Sequence, residues 1–528
     1  MNRLLHDPSF FGKNGDCFSP KLPVRKTIVV LLGVLLALLP FHPFLITALE
    51  GRFFPDVPGV VRAWKEILLV LVAGLSLLLV LSRKEFFQKW NALALAVSLF
   101  VVVSLGTGIL FTGNGFPDNV PQIAFGAKYG LLFLIVLVLF SWVPIRASER
   151  MVLENIALAA GAIVVLFGAL QVTVLPENFL VQFGYNAQYG DIHPEGEISY
   201  CHKIENSITN EEFCRAQSTL SGPNQFGAYL LLFLPLLFFR LRKTEEYSVE
   251  RFFMGIITFC SAFALLMTWS RSAWIGALAM LGAVFVFQAR RPGVAFSALL
   301  LFLFGTISLF APAFLLHSWD HLKPISLAFA SVSAISLVLL SLGNLRKGWF
   351  VKGIGLFFAF LLAWFVAIRS FFDTFFWNIL LRPSSSQGHW ERWKDGVEYM
   401  IRNPFGLGLG DAGPASARFA HAGETGFLPE SWYLQVGLES GFLGLALFLT
   451  ILILLGKALF LAKNDLARAM LFSLIGISTA AFFLHTWESS AVAYSFAILA
   501  AIGLSAQEEP SLFQRIFKKI TLLFERNS

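Results

Sequence analysis

The sequence predicts an all-α, polytopic integral membrane protein with about 14 transmembrane helices. Three observations predict this class: 56% of the 528 residues are hydrophobic, only 14% are charged, and the apolar residues fall in long runs bounded by charge, Pro or Gly. Soluble domains carry about 25% charged residues, so the composition excludes a water-soluble globular protein. The basic residues lie in short clusters between apolar runs, which favours topology signals over a nucleic-acid surface.

A helix needs about 20 mostly apolar residues to cross the hydrocarbon core. Runs of this kind define the predicted spans, with 12 or 13 spans as alternatives to 14. The spans lie near 27–49, 66–82, 90–111, 123–143, 151–175, 224–240, 252–270, 272–289, 294–316, 325–343, 353–371, 431–456, 469–485 and 491–505.

Basic clusters such as Arg83–Lys84 and Arg240–Lys243 fall in the loops on the same side as the N-terminus. Because basic loops stay in the cytoplasm, both termini are predicted to be cytoplasmic. The first apolar run exceeds a signal-peptide core and lacks a small-residue cleavage site, so it is interpreted as a retained anchor. The predicted segments are a tail 1–26, a bundle 27–214 with an outside loop from about 176, a core 215–460 with a large outer loop 372–430, C-terminal helices 461–505 and an amphipathic cytoplasmic tail 506–528.

Four cysteines are too few for a disulfide scaffold, but two of them share one compartment. Cys201 and Cys214 both fall in the predicted outside loop 176–223, where a pair of thiols can oxidise. We therefore treat them as a candidate disulfide, with two unpaired thiols as the alternative.

Two arginines at predicted outer helix starts are candidate phosphate ligands. Charges at membrane level cost about 2.5 to 3.5 kcal/mol on insertion scales, so each one requires a partner or a function. Arg271 lies between two adjoining spans, where Ser270 or Ser272 can cap the following helix. A cation beside a helix N-terminus suits a phosphate, although Arg271 can also be an arginine that snorkels to the interface.

Arg215 precedes a second predicted helix start on the same side of the membrane. Gly222-Pro223 indicates a turn, and Asn224 is interpreted as the N-cap. Two arginines and two helix N-termini together predict a site for a diphosphate.

The outer loop 372–430 is too long for a passive connector and contains a predicted amphipathic helix near 389–402. This helix is interpreted either as one that lies in the membrane interface or as a structural helix on the protein surface. The residues expected on its apolar face are Trp390, Trp393, Val397, Met400 and Ile401.

Two sequence features follow this helix in the loop. Gly406, Gly408 and Gly410 predict a flexible turn that lets the backbone approach a ligand. Glu430 comes directly before a span, where a carboxylate whose pKa is raised by partial burial would serve as a general base.

His421 is an alternative base, and Glu430 can instead be a helix N-terminal acid favoured by the macrodipole. Glu439 and Glu488 are assigned to neighbouring polar groups or to basic partners such as Lys128, not to catalysis.

Several motifs together resemble the O-antigen ligase and polymerase superfamily of bacterial membrane glycosyltransferases, which act on undecaprenyl-diphosphate-linked glycans. The resemblance covers about 215–450. The motifs are Ser221-Gly222-Pro223-Asn224-Gln225-Phe226-Gly227, Ser270-Arg271-Ser272-Ala273-Trp274, Arg392-Trp393, Asn403-Pro404-Phe405-Gly406-Leu407-Gly408-Leu409-Gly410, Tyr433-Leu434 and Glu439-Ser440-Gly441.

The resemblance implies a metal-independent transferase without a cofactor, in which Arg215 and Arg271 hold the diphosphate and an outer-loop base deprotonates a hydroxyl acceptor. Glu430 and His421 are the base candidates. The expected substrate or acceptor contacts are Asn224, Arg392, Trp393 and Tyr433.

The ligases carry a His followed by Asn before the Tyr-Leu pair, whereas this chain has Glu430-Ser431. Ligase, repeat-unit polymerase and protein O-oligosaccharyltransferase therefore stay open.

The implied partners are a polyprenyl-diphosphate-linked glycan donor, a glycan, lipid or protein hydroxyl acceptor, and membrane lipid, with no nucleic acid. The implied location is the bacterial inner membrane, with an extracytoplasmic active site. A lipid-linked oligosaccharide flippase or other transporter is the alternative of another class, and it predicts basic residues that line a central cavity.

Overall fold

The computed structural model describes residues 21–52, 57–82, 90–112, 117–176, 179–185, 215–245, 248–288, 383–419, 426–462 and 464–505. All regular elements within these ranges are helical. The α-helices are α1 (Lys21–Leu38), α2 (His42–Arg52), α3 (Gly59–Arg62), α4 (Trp64–Ser82), α5 (Ala92–Phe111), α6 (Val120–Gly130), α7 (Leu132–Ser141), α8 (Ala147–Thr173), α9 (Pro223–Lys243), α10 (Val249–Met267), α11 (Arg271–Gln288), α12 (Pro383–Arg402), α13 (Gly413–Phe419), α14 (Trp432–Leu461), α15 (Asp465–Ala480) and α16 (Ser490–Ser505). Short 3₁₀ turns lie at Leu39–Phe41, Phe179–Phe183 and Thr486–Glu488.

The helices confirm the predicted class of a polytopic, all-helical membrane protein. Within the described ranges, seven helical segments are long and apolar enough to cross a membrane, and a bent pair makes an eighth. The predicted spans 294–316, 325–343 and 353–371 lie outside the described residues. The total of 14 spans therefore stays a prediction.

The span predicted near 123–143 is divided into two helices. α6 and α7 are bent by 51° at a break around Leu131. The Lys128 carbonyl, just before the break, accepts a hydrogen bond from Tyr494 Oη of α16 at 3.1 Å. A neighbouring helix thus satisfies a backbone group at the break, as the absence of water in a bilayer requires.

The centre of the bundle is held by small-residue contacts and a few buried polar links. Gly276 of α11 packs directly against the backbone of Gly476 in α15, a close approach that only small residues permit. Ser440 Oγ of α14 donates to Ser104 Oγ of α5 across 2.8 Å. Hydroxyl pairs of this kind join helices where lipid-like surroundings offer no other partner.

Several functional segments meet at one end of the bundle, which we call the site end. There α9 and α11 begin side by side, because Gly227 packs against Ala273. The Trp432 N–H at the start of α14 donates to the Ala481 carbonyl just after α15, at 3.0 Å. α15 therefore ends between the beginnings of α11 and α14. The placement of the site end outside the cell stays a prediction from the basic loops.

Candidate functional site at the site end

The glycine-rich segment 404–410, which we call the strap, is docked on a break in α14. Gly441 has φ +69° and ψ −175° within α14, so the helix hydrogen bonds are interrupted there. The carbonyls of Leu438 and Glu439 accept the N–H groups of Leu407 and Gly408 at 2.6 and 3.3 Å. The strap thus supplies the partners that the broken helix lacks.

The other edge of the strap is fixed to α5 and α6. Thr112 Oγ1 donates to the Leu409 carbonyl at 3.1 Å, and Gln122 Nε2 donates to the Gly410 carbonyl at 3.0 Å. The strap is therefore a docked segment and not a free turn, while its approach to a ligand stays a prediction. The close approach that glycine permits is to the protein itself, since a Cβ on Gly406 would lie 2.7 Å from the Glu439 carbonyl oxygen.

The predicted helix of the outer loop is present as α12, and it ends at Arg402 directly before Asn403-Pro404. Its packing face agrees with the expected apolar face at Val397 and Met400, which join the cluster against α14, but not at Trp393 and Ile401. Gly396 and Met400 pack on the first turns of α14, whereas Trp393 and Ile401 are 37% and 63% exposed. The face that meets α14 continues N-terminally through Arg392 and His389, because positions 389, 392, 396 and 400 follow helical spacing.

Glu430 lies where α12 meets α14, directly before the Ser431 N-cap position. Arg392 Nη1 donates to Glu430 Oε1 at 2.7 Å, and His389 Nδ1 lies 3.0 Å from Glu430 Oε2. The backbone of Glu430 has φ +53°, a strained conformation for a residue with a side chain. Both carboxylate oxygens thus have partners from α12.

The electrostatic surroundings correct the expected pKa of Glu430. Burial alone would raise the pKa of this carboxyl group, in the direction that the sequence predicts. The His389 hydrogen bond and the charges of His389, His485 and Arg392 outweigh burial, so the pKa is lowered. Glu430 is therefore a stabilised carboxylate, which is a weak proton acceptor.

Arg215 is buried and forms hydrogen bonds with the segment that joins α10 to α11. Its Nε donates to the Thr268 carbonyl at 2.8 Å, and its Nη2 donates to Asn224 Oδ1 at 2.9 Å. The N-cap position of α9 is Gly222, so the interpretation of Asn224 as the N-cap is wrong. Asn224 instead fixes the Arg215 guanidinium within the first turn of α9.

Arg271 is the first residue of α11, as the sequence predicts. The Ser270 and Ser272 hydroxyls lie 3.2 Å apart beside it, and the Ser270 carbonyl accepts the Trp274 N–H. Since Arg215 contacts Thr268 and Trp269, the two predicted arginine segments and the starts of α9 and α11 are brought together.

The aromatic candidates have different surroundings. Tyr433 is 8% exposed, and its hydroxyl donates to the Ser478 carbonyl at 2.8 Å, so the structure does not present it to an acceptor. Trp393 stacks on Trp390 with ring centroids 5.4 Å apart and an interplanar angle of 11°. This pair offers a flat surface near the Glu430 cluster.

Of the two expected kinds of partner for the acidic side chains deeper in the bundle, Glu439 has neighbouring polar groups and not Lys128. Lys128 Nζ lies 3.3 Å from Glu66 Oε1, so its acidic partner is neither Glu439 nor Glu488. Glu439 Oε1 accepts the Gly410 N–H at 3.3 Å, which adds a side-chain contact to the strap. In the part of the chain that the structure describes, no group of three or more His, Cys, Asp or Glu could hold a metal ion.

His389 is a site residue that the sequence alone did not predict. The signal was its spacing, because His389 lies one turn before Arg392, but the local sequence does not show that Glu430 faces both. His421, Cys201 and Cys214 lie outside the described residues.

The fold and site define a multi-pass membrane protein that gathers charged residues at one end of its bundle. Residues 325–449 match the model of the O-Antigen ligase family, and this match confirms the resemblance and supports membership of the chain in the O-antigen ligase superfamily. The matched range includes α12, the strap and the first half of α14. No curated protein matches the chain.

Proposed function

We propose that this protein is a glycosyltransferase of the O-antigen ligase type, which moves a glycan from undecaprenyl diphosphate to a hydroxyl acceptor at the outer face of the inner membrane. The observation that carries this proposal is that the starts of α9 and α11, with Arg215 and Arg271, lie at the same end of the bundle as the Glu430 cluster before α14. The family match over residues 325–449 supports the same class.

The proposed reaction is a direct displacement at the anomeric carbon. The acceptor oxygen forms the new bond to C1, the bond from C1 to the diphosphate breaks, and the lipid diphosphate leaves with the electron pair. Charge develops on the diphosphate, and cations fixed at helix starts stabilise it without rearrangement. Such a mechanism inverts the anomeric centre and assigns no step to a metal.

In this scheme Arg271 binds the diphosphate directly. Arg215 shapes the same region, since its hydrogen bonds hold the α10–α11 connection and the first turn of α9 together. The acceptor hydroxyl loses its proton in the cluster around Glu430. The Trp390–Trp393 pair supplies a stacking surface for a sugar ring.

The test is release of undecaprenyl diphosphate from a lipid-linked glycan by the reconstituted protein. Arg271→Ala should lower kcat by about 100-fold, the size expected for loss of one fixed charge-stabilising donor. Arg468→Ala is the matched control, because this half-exposed arginine pairs with Asp465 at the opposite end of the bundle. Equal release by Arg271→Ala and wild type would contradict the proposed role of Arg271.

The acceptor separates the open branches of the superfamily. Transfer to a lipid-anchored core sugar indicates a ligase, extension of a second lipid-linked glycan indicates a polymerase, and transfer to Ser or Thr indicates protein glycosylation. Movement of the intact lipid-linked glycan across vesicles, without diphosphate release, would replace the proposal with the transporter.

A further inference from the structure

His389 and Glu430 form a histidine–carboxylate pair at the site end. The Nδ1 atom of His389 lies 3.0 Å from Glu430 Oε2, although the two residues are far apart in the chain. The contact joins the first half of α12 to the residue before the cap of α14. It lies on the same carboxylate that Arg392 contacts through the other oxygen.

This contact decides which nitrogen of His389 can accept a proton. A carboxylate only accepts hydrogen bonds, so Nδ1 must carry the hydrogen that points to Glu430. In the neutral ring, Nε2 then holds a free electron pair. The contact with Glu430 uses Nδ1 and leaves Nε2 outside it, and the His389 side chain is 32% exposed.

Glu430 is poorly suited to take the proton itself. Its two oxygens are occupied by Arg392 and His389, and its side chain is only 17% exposed. A carboxylate that is held by two cationic or hydrogen-bonding partners orients and stabilises a neighbouring imidazolium more readily than it accepts a proton.

The position of His389 is fixed by helix packing. Gly396 of α12 leaves room for Leu434 and Pro429, since a Cβ on Gly396 would lie 3.2 and 3.4 Å from their side chains. His389 lies two turns earlier on the same helix face. The charged and titratable groups that surround the pair are Arg392 on α12, Glu430 before α14, and His485 with Glu488 after α15.

We propose that His389 Nε2 is the general base of the transfer reaction and that Glu430 is its positioning residue. This inference rests on the proposed function. The acceptor hydroxyl gives its proton to Nε2 as its oxygen bonds to C1, and the bond from C1 to the diphosphate oxygen breaks. The resulting imidazolium is stabilised by Glu430 and later releases the proton to water.

The test uses the full-length protein in liposomes with a lipid-linked glycan and a hydroxyl acceptor. His389→Gln removes the basic nitrogen, and His389→Arg keeps a donor for Glu430 but has no free electron pair. Both variants should lose about 100-fold or more in kcat with little change in KM for the donor. Glu430→Gln should lose less, because the imidazole remains.

Azide distinguishes a base from a merely structural residue. An anionic nucleophile needs no deprotonation, so azide should restore diphosphate release in both His389 variants and yield a glycosyl azide. It should not restore release in Arg271→Ala, which lacks stabilisation of the leaving group. Glu391→Gln is the matched control, because Glu391 is exposed on α12 and bonds only Gln387 among the described contacts.

The outcomes separate this inference from the proposed function. Wild-type kcat in either His389 variant, or a loss that azide does not restore, overturns the role of His389 while wild-type release upholds the transferase. If the wild type releases no diphosphate with the hydroxyl acceptor or with azide, the result contradicts the proposed function and with it the role of His389.

Discussion

The guanidinium of Arg392 donates to the carboxylate of Glu430 across 2.7 Å, and this contact attaches the outer-loop helix α12 to the start of α14. The two residues are in separate elements that the strap and α13 connect in sequence. The packing of Gly396 against Leu434 brings them together.

The first prediction concerns pH. The pKa of Glu430 is lowered because the His389 hydrogen bond and nearby charges outweigh burial. A lowered folded-state pKa contributes stability above the unfolded pKa, about 4.3 for Glu, and loses it as pH falls through the folded value. The melting temperature of wild type should therefore approach that of Glu430→Gln below about pH 4. Parallel curves at all pH values would contradict this ion-pair contribution.

The second prediction concerns Arg215. Arg215→Ala leaves the Thr268 carbonyl and Asn224 Oδ1 without their donor in a buried region, so unfolding should become easier by about 2 kcal/mol or more. Arg215→Lys should recover only part of this stability, since an ammonium cannot reproduce the fork geometry. Thermal unfolding in detergent measures both variants. Asn224→Ala removes only one of the Arg215 hydrogen bonds, so it should lower the stability less than Arg215→Ala does. A larger loss of stability in Asn224→Ala would contradict this prediction.

The third prediction compares a half-buried carboxylate with an exposed one. Glu66 lies 3.3 Å from both Lys65 Nζ and Lys128 Nζ, so Glu66→Gln leaves two cations without their shared anion. We expect destabilisation of about 3 kcal/mol. The matched control is Glu398→Gln, which removes the exposed pair with Arg402 and should change stability very little. Equal losses of stability in Glu66→Gln and Glu398→Gln would show that burial does not strengthen the contacts of Glu66.

The fourth prediction concerns the docking of the strap. Gly406→Ala and Gly441→Ala each add a Cβ at positive φ, within 2.7 Å of backbone atoms across the contact. Each should destabilise the protein by about 1 to 3 kcal/mol and expose the strap to protease. Gly106→Ala on α5 is the control, since no atom lies within 4 Å of its Cβ, and helix propensity favours Ala. Unchanged protease resistance in Gly406→Ala would contradict the docked strap.

Helix positions were predictable because a segment that crosses a bilayer must satisfy its backbone groups within a helix. Such a segment therefore appears in the sequence as a long apolar run. The end of α12 at Asn403-Pro404 and the start of α11 at Arg271 followed from local chemistry in the same way. The face of α12 was predictable only in part: Val397 and Met400 pack against α14 as expected, whereas Trp393 and Ile401 are apolar yet exposed and the glycine at 396 makes a contact that apolar spacing does not indicate.

The sequence by itself predicted the membrane class, the resemblance to the O-antigen ligase superfamily and the arginines at two helix starts, since composition, periodicity and local motifs are properties of neighbouring residues. Only the tertiary structure decided that Glu430 is a stabilised carboxylate, that Asn224 holds Arg215, and that His389 joins the site. Those properties depend on which side chains meet across helices. Distance and burial set their charge states, and neither is encoded in any single stretch of the chain.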